Sequence, residues 1–353
     1  MRKIGAINAW NFAKRTIVRL FSLSYHRNKR RWKKLKGKFA GKRVFLIGNG
    51  PSLNKTPLYL LKDEYTLCFN RFDLMTERFC WYPTFFAMAD TTVAEDIQDI
   101  VKKTIEKTKY AFFLSVYKGW SIEKVLPQKD NILYFYHEFH DFSKKLPFTK
   151  GGSTVAIEGL QILNYLGFDE IVLIGVDMNY VIHKSSISLL KRSSGAEVIQ
   201  STADDDPNHF DPRYFGKGAK YSQPNEYTMN EMLKSLDEIS LWFKENTLTK
   251  VYNAGYDSKV NSFERKDFME ILNYTDEKID LLFLETVKKT GFSSINDLLI
   301  KAISYESVEE FDDNIDVFSL PTEEAVKIIK STILSYVPIG PYKDKIYFVK
   351  RNG

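Results

Sequence analysis

Residues 43–53 read Arg43-Val-Phe-Leu-Ile-Gly-Asn-Gly-Pro-Ser-Leu53. The run Val44–Ile47 is too short for a helix and is stopped by Gly48, the pattern of a strand buried on both faces of a parallel sheet. The same pattern recurs outward along the chain. Tyr65–Phe69 (YTLCF), Thr84–Met88 (TFFAM), Ala111–Val116 (AFFLSV), Ile132–Tyr136 (ILYFY), Glu170–Gly175 (EIVLIG) and Val251–Asn253 (VYN) are each short, apolar and rich in aromatic or β-branched residues. Between them, Gly152–Leu166 carries Val155, Ile157, Leu160, Leu163 and Leu166 at helical spacing and stops at Gly167, and Trp242–Glu245 close another helix. Strands alternating with helices predict a doubly wound, mostly parallel, Rossmann-like α/β sheet. From about Arg265 the texture turns helical (FMEILNY, EKIDLLFLETVKKT, INDLLIKAI, EEAVKIIKSTILSY), with Thr275, Ser294 and Thr322 as N-caps and Pro338 and Pro341 as stops. The expected organisation is a basic segment (1–41), a Rossmann-like domain (42–262) and a helical C-terminal region (263–353).

The chain has 353 residues, 44% apolar and 27% charged, ordinary values for a folded protein and incompatible with wholesale disorder. Two cysteines, Cys68 and Cys80, are too few for a disulfide scaffold or a multi-cysteine zinc site, and fit reduced thiols in a cytoplasm.

The net charge of +6 is distributed unevenly. Residues 1–43 hold fifteen Lys or Arg and no Asp or Glu, so the remaining chain is net −9. Residues 4–25 interleave Ile4, Ile7, Trp10, Phe12, Ile17, Val18, Phe21 and Tyr25 with Lys14, Arg15 and Arg19, and residues 26–38 (HRNKRRWKKLKGK) add eight more cations. No run reaches the ~20 apolar residues of a spanning helix. An amphipathic segment followed by a polybasic one suits the surface of an anionic membrane, where each cation contributes about 1 kcal/mol. A solvated tail, a partner-binding helix or a nucleic-acid patch are the competing readings, and the apolar content of residues 4–25 favours lipid over nucleic acid. This places the protein in the cytoplasm, peripheral at the inner face of the membrane, attached through residues 1–38.

Chemistry-bearing residues sit where strands end. Gly48-Asn49-Gly50-Pro51-Ser52 follows the first core strand, where two glycines let backbone N–H groups approach a phosphate. It is neither G-x-G-x-x-G nor a Walker loop, and a ligand-free turn is the competing reading. Asn70 and Asp90 end the next two strands and read either as ligand contacts or as turn and cap residues. Gly152, Ser153 and Thr154 open a helix and read as an anion platform or a simple cap. Asp177 and Tyr180 emerge from the Glu170–Gly175 strand. The stretch 182–225, read as a lid or acceptor loop, holds Asp204-Asp-Asp206, His209, Arg213, Tyr214 and Tyr221.

Gly48–Leu53 (GNGPSL), Asn70, the Gly/Ser/Thr helix opening and Leu166–Asp177 (LGFDEIVLIGVD) together resemble the bacterial sialyltransferases of glycosyltransferase family 42. They are also similar to a broader group that includes 6-hydroxymethylpterin diphosphokinases and flagellin-modifying nonulosonate transferases. The resemblance covers roughly residues 42–255 and implies a GT-A-like variant of the Rossmann sheet. It also implies inverting, metal-independent transfer of a sialic-acid-like sugar from a CMP-activated donor, with no cofactor, and a homo-oligomer. By position, Asn49 and Ser52 meet the nucleotide, Asn70 the donor, Ser153 and Thr154 the sugar carboxylate, and Asp90 replaces a family asparagine. The family tyrosine falls at Asn179 here, so Tyr180, one position later, is the substitute for steadying the leaving phosphate.

Arg213 falls about where the family base stands, and His209 matches a second family histidine more closely. His209 is the expected base, oriented by Asp205 or Asp206, with His183 as second choice. Arg213, Tyr214 and Tyr221 suit an anionic donor. The alternatives are an Mg²⁺-dependent diphosphokinase using Asp90, Asp177 and Asp204–Asp206, and a non-catalytic nucleotide-sugar-binding protein. Donor, acceptor and linkage are not assigned by these motifs.

Overall fold

The computed structural model describes residues 17, 19–116, 120–137, 141–142, 145–191, 197–310 and 315–351. Residues 4–16 and Val18 of the amphipathic segment lie outside the described residues.

The first twelve strands include nine that form one sheet. These are β1 (Arg43–Ile47), β2 (Tyr65–Phe69), β3 (Phe85–Met88), β4 (Tyr110–Leu114), β5 (Ile132–His137), β6 (Phe148–Thr149), β7 (Glu170–Ile174), β11 (Lys250–Asn253) and β12 (Glu264–Arg265). Their order is β12-β11-β7-β1-β2-β3-β4-β5-β6, and every pairing is parallel. The chain steps outward from β1 to β6, then returns to place β7 on the opposite side of β1. The order therefore reverses between β1 and β7, and in open α/β sheets ligands bind beyond the strand carboxyl ends at such a point.

Period-2 alternation explains why both faces are covered. Val44 and Leu46 of β1 and Leu67 and Phe69 of β2 point into one apolar layer, while Phe45, Ile47 and Cys68 point into the other. The first layer is closed by helix α1 (Leu23–Leu35), the α4 helix (Val155–Leu166) and α5 (Glu226–Asn246). The second face is covered by α2 (Thr91–Asp96) and α3 (Gln98–Lys107) at one end, and by C-terminal segments at the other.

Packing runs across the expected boundary at residue 41. Trp32, Leu35 and Phe39 are buried with the sheet core, and Trp32 stacks on Phe112 with ring centroids 5.1 Å apart. The Trp32 indole donates to the Tyr134 carbonyl at 2.8 Å, and the Asn28 side chain both donates to and accepts from the Tyr134 backbone. Helix α1 is thus amphipathic toward protein. Its other face leaves Arg27, Lys29, Arg30, Lys33 and Lys34 exposed, with Lys36 and Lys38 following.

Two stretches are richer in strand than their sequence suggests. Within the expected lid, β8 (Ser186–Lys191), β9 (Glu197–Ser201) and β10 (Lys220–Gln223) form a three-stranded antiparallel sheet. The C-terminal region carries helices α6 (Phe268–Leu272), α7 (Asp276–Lys289), α8 (Ile295–Lys301) and α9 (Thr322–Thr332). It also carries β13 (Ile303–Ser304), β14 (Val317–Pro321), β15 (Tyr336–Tyr342) and β16 (Lys345–Lys350), so it is α+β and not helical alone. Pro338 and Pro341, read as stops, lie on β15, an edge strand of the order β13-β14-β16-β15, where a missing N–H is tolerated. The hairpin turns at Lys343 and Asp344, with φ of 48° and 59°, so a left-handed two-residue turn forms without the Asn-Gly signal that would have announced it.

Candidate active site

The β1 and β7 carboxyl ends come so close that neither Gly48 nor Gly50 can carry a side chain. A Cβ at Gly48 would collide with the Gly175 carbonyl, and one at Gly50 with the Asp177 carboxylate. In return, Gly48 N–H donates to Ile174 O and Gly50 N–H to Gly175 O, both at 2.8 Å. The loop is fixed further by Asp177, which accepts from Ser52 N at 2.9 Å and from Ser52 Oγ at 2.5 Å. Burial raises the Asp177 carboxyl, against those two hydrogen bonds.

Beyond this junction lies a cavity of ≈ 500 Å³. Its rim is made by successive strand ends, as expected. Asn49, Asn70, Asp90, Ser153, Thr154, Asp177, Tyr180, His209, Tyr214 and Tyr221 are all brought to it, with Gly48 and Gly50. Asn70, Ser153 and Met178 hold φ of 49°, 61° and 55°, so three strand exits adopt left-handed backbone around one space. Such conformations cost about 1–3 kcal/mol each and cluster where a site demands them. Asn49 donates to Phe69 O at 3.2 Å, while its Oδ1 and that of Asn70 are buried without partners among the described residues. Thr154 is the N-cap of α4 but makes no side-chain cap bond, so the helix opening is not the self-satisfied cap that competed with the anion platform.

The base candidate is held as a dyad. His209 Nδ1 lies 2.7 Å from Asp206 Oδ2, and Asp206 also accepts from Asn208 N at 2.8 Å and Phe215 N at 3.1 Å. Burial works against the Asp206 charge, but His209 and these donors outweigh it and hold the carboxyl below the ordinary range. The His209 ring stacks flat on Tyr214, with centroids 3.7 Å apart and planes 4° apart, and Phe215 closes its edge at 5.1 Å. With Nδ1 tied to a carboxylate, Nε2 is the nitrogen left for the cavity. Tyr180 stands beside it, its hydroxyl pushed up to about 12 by burial and by the Asp206 and Asp177 charges, so it remains a proton donor.

Several expected roles do not match the geometry. Arg213 is off the cavity wall, and its fork is taken by Asp211 (3.0 and 2.8 Å) and Glu77 (3.1 Å), so it is not free to grip an anionic donor. Ser52 is turned to Asp177, and Gly152 packs where a Cβ would strike Ile157; neither lines the cavity. His183 has both nitrogens engaged, Nδ1 with Tyr221 Oη at 2.6 Å and Nε2 with Asp205 Oδ1 at 2.7 Å, which removes it as second base and removes Asp205 as the His209 partner. Asp90 caps α2, accepting from Thr92 N at 2.8 Å and Val93 N at 3.2 Å. Among the described residues no group of three His, Cys, Asp or Glu converges as a metal site, so the aspartates offered for Mg²⁺ do not form a shared cage.

Two cavity residues escape a sequence reading. His137 ends β5 and Glu158 sits in the first turn of α4, with Nε2 2.6 Å from Oε1. The signals were present: His137 occupies the same strand-end position as Asn70 and Asp90, and Glu158 is a lone acid in VAIEGLQIL. A third residue gives no such signal. Lys330 of α9 donates to the Asp206 carbonyl at 2.8 Å, bringing the C-terminal region against the dyad loop.

The superfamily resemblance drawn from the glycine loop is borne out, since residues 22–183 match the family model described as 6-hydroxymethylpterin diphosphokinase MptE-like. Among solved structures, the chain is similar to the MAf glycosyltransferase from Magnetospirillum magneticum AMB-1, with 14% identity, a TM-score of 0.40 and coverage of 74% of this chain and 41% of that one. It is also similar to the sialyltransferase CstII from Campylobacter jejuni in complex with a substrate analogue (15%, TM-score 0.37) and to CST-II with a trisaccharide acceptor and CMP (15%, TM-score 0.35). Each of these matches covers 64% of this chain and 85% of the other. No curated protein matches. Among the described residues no helix is long and apolar enough to cross a membrane.

Proposed function

We propose that this protein is an inverting, metal-independent glycosyltransferase that moves a nonulosonate from a CMP-activated donor to a surface glycan or lipid-linked acceptor. The observation that carries this is the Asp206–His209 dyad facing the glycine loop and the α4 opening across one cavity. The nucleotide phosphate lies against the loop at Asn49, the Gly48, Gly50 and Ser52 N–H groups being already bonded within the protein, and Ser153 and Thr154 receive the sugar carboxylate. The acceptor oxygen gives its proton to His209 Nε2 as it bonds to the anomeric carbon. The bond from that carbon to the phosphate breaks, and its electron pair leaves on CMP, steadied by the Tyr180 hydroxyl. Asp206, ionised at neutral pH, stabilises the resulting imidazolium.

A broader cavity of ≈ 1050 Å³ shares Tyr180 and Pro224 with the first and runs along the three-stranded sheet, giving the acceptor an approach. The exposed cations of α1, continuous with the apolar segment before it, hold the enzyme at an anionic membrane where such acceptors reside. Incubation with CMP-N-acetylneuraminate and release of CMP in the presence of EDTA tests this reading; CMP release that requires Mg²⁺, or none at all, overturns it.

The family-model match supports a second reading, pyrophosphoryl transfer from ATP–Mg²⁺ to a hydroxymethylpterin. It ranks lower because Asp90 and Asp177 are engaged with protein donors. AMP formation from ATP with hydroxymethylpterin would establish it.

A further inference from the structure

Glu158 is 2% exposed, yet only one of its carboxylate oxygens has a partner. Oε1 meets His137 Nε2 at 2.6 Å, while Oε2 is buried with no hydrogen-bond partner among the described residues. Leaving a buried acceptor unmatched is unfavourable, more so for a carboxylate than for a neutral group. Core packing does not account for the acid. Ile157, Leu160 and Ile162 of α4 are buried in the apolar layer, whereas Glu158 lines the cavity with Val155 and Ala156. Thr154 lies four residues earlier on the same helix face and lines the same wall. Gly151 completes the arrangement: the His137 ring occupies the space a Cβ would need, at 3.1–3.3 Å, so the absence of a side chain there lets the imidazole reach Glu158.

We propose that Glu158, fixed in place by His137, is a specificity-determining acceptor for the sugar portion of the donor. Its free Oε2 takes a hydrogen bond from a hydroxyl or an acylamino N–H of that sugar. One turn earlier the α4 opening, which has no side-chain cap, favours an anion. The two features together select a polyhydroxylated acid, with its carboxylate at the helix mouth and a hydrogen-bond donor about one helical turn deeper. A plain nucleotide lacks the sugar's carboxylate and the donors that follow it, so its binding is expected not to depend on Glu158. The inference rests on the nucleotide-sugar reading above.

Calorimetric titration with CMP and with CMP-N-acetylneuraminate separates the sugar contribution from the nucleotide contribution. In the wild-type protein the sugar nucleotide is expected to bind more tightly than CMP. Glu158→Met, which removes the acceptor at similar volume, is expected to bind CMP as the wild type does and to lose about tenfold for the sugar nucleotide. Glu158→Gln, which keeps an acceptor, is expected to recover part of that loss, and retained CMP binding certifies that each variant is folded. If both variants keep the full wild-type preference for the sugar nucleotide, or lose CMP binding equally, the proposal is overturned while the nucleotide-sugar reading stands. If the wild type binds neither compound, the nucleotide-sugar reading fails and the proposal fails with it.

Discussion

Lys330 Nζ lies 2.8 Å from the carbonyl oxygen of Asp206, the residue whose side chain orients His209. A helix 124 residues further along the chain therefore braces the backbone of the dyad loop. The ammonium is substantially buried, and desolvation lowers it while the Asp206 and Asp211 charges pull it back up. Lys330→Met should leave CMP affinity unchanged and reduce turnover roughly tenfold, in keeping with about 1.5–3 kcal/mol for a hydrogen bond to a charged group. Parallel loss of CMP binding and turnover in a titration-plus-rate experiment would mean that Lys330 acts on the whole fold and not on the dyad.

His209→Ala should reduce CMP release from the sugar nucleotide by about 10²–10⁴-fold, the usual span of general-base catalysis. Asp206→Asn should also slow it, because an amide can present the wrong group to Nδ1 and loses the charge that steadies the imidazolium. Steady-state rates on both variants, alongside their CMP affinities, check this. Wild-type turnover in His209→Ala would remove the histidine from the chemistry.

Acid stability should depend on Asp211. Burial opposes its ionisation, yet Arg213, bonded at 3.0 and 2.8 Å, and the nearby Arg78 hold the carboxyl below its ordinary value. A depressed folded value contributes stability that is complete above the unfolded carboxyl value of about 3.9 and is lost as pH falls through the folded one. Asp211→Asn should therefore be less stable at pH 7, by about 3–5 kcal/mol for a broken buried pair, and should show a shallower decline below pH 4. Denaturant melts from pH 7 to pH 2.5 read both quantities.

Deletions at the basic end should split into two behaviours. Removing residues 1–22 should leave the fold intact and weaken binding to anionic vesicles. Removing 1–40 also takes away Trp32, Leu35 and Phe39 from the core and should unfold or precipitate the protein, since Trp32→Ala alone is expected to cost about 3–5 kcal/mol. Vesicle flotation with phosphatidylserine, paired with thermal melts, distinguishes tethering from folding. A charge reversal at Arg30, Lys33 and Lys34 that leaves flotation untouched would refute the membrane role of α1.

Gly50→Ala should disable the site without a general packing defect elsewhere. The added carbon meets the Asp177 carboxylate, which must move and release Ser52 from its two hydrogen bonds. Loss of CMP binding with a lowered melting temperature is expected, and unaltered binding would show that the loop tolerates a Cβ.

Much of the parallel sheet is legible along the chain because each core strand is a local apolar run ended by glycine or a polar residue. Arg43–Ile47, Tyr65–Phe69 and Glu170–Ile174 are the clearest cases. The rim residues Asn70, Asp90 and Asp177 follow from the same rule, since strand carboxyl ends in such a sheet face one side. His209 and Asp206 are three residues apart, close enough for sequence to suggest their pairing. What sequence does not carry is the partner of a charged group. Arg213 reads as a ligand-binding fork until Asp211 and Glu77 are seen to occupy it, and His183 reads as a base until Tyr221 and Asp205 occupy both nitrogens. The polybasic run 26–38 reads as a stretch on a membrane surface, because sequence says that Trp32 and Leu35 are apolar but not what covers them; the sheet covers both. Local backbone preference and hydrophobic periodicity are properties of neighbouring residues, and those decided the strands and their order of use. Hydrogen bonds between Lys330 and Asp206 or His137 and Glu158 join residues 124 and 21 positions apart, and only the folded chain brings such donors and acceptors within reach.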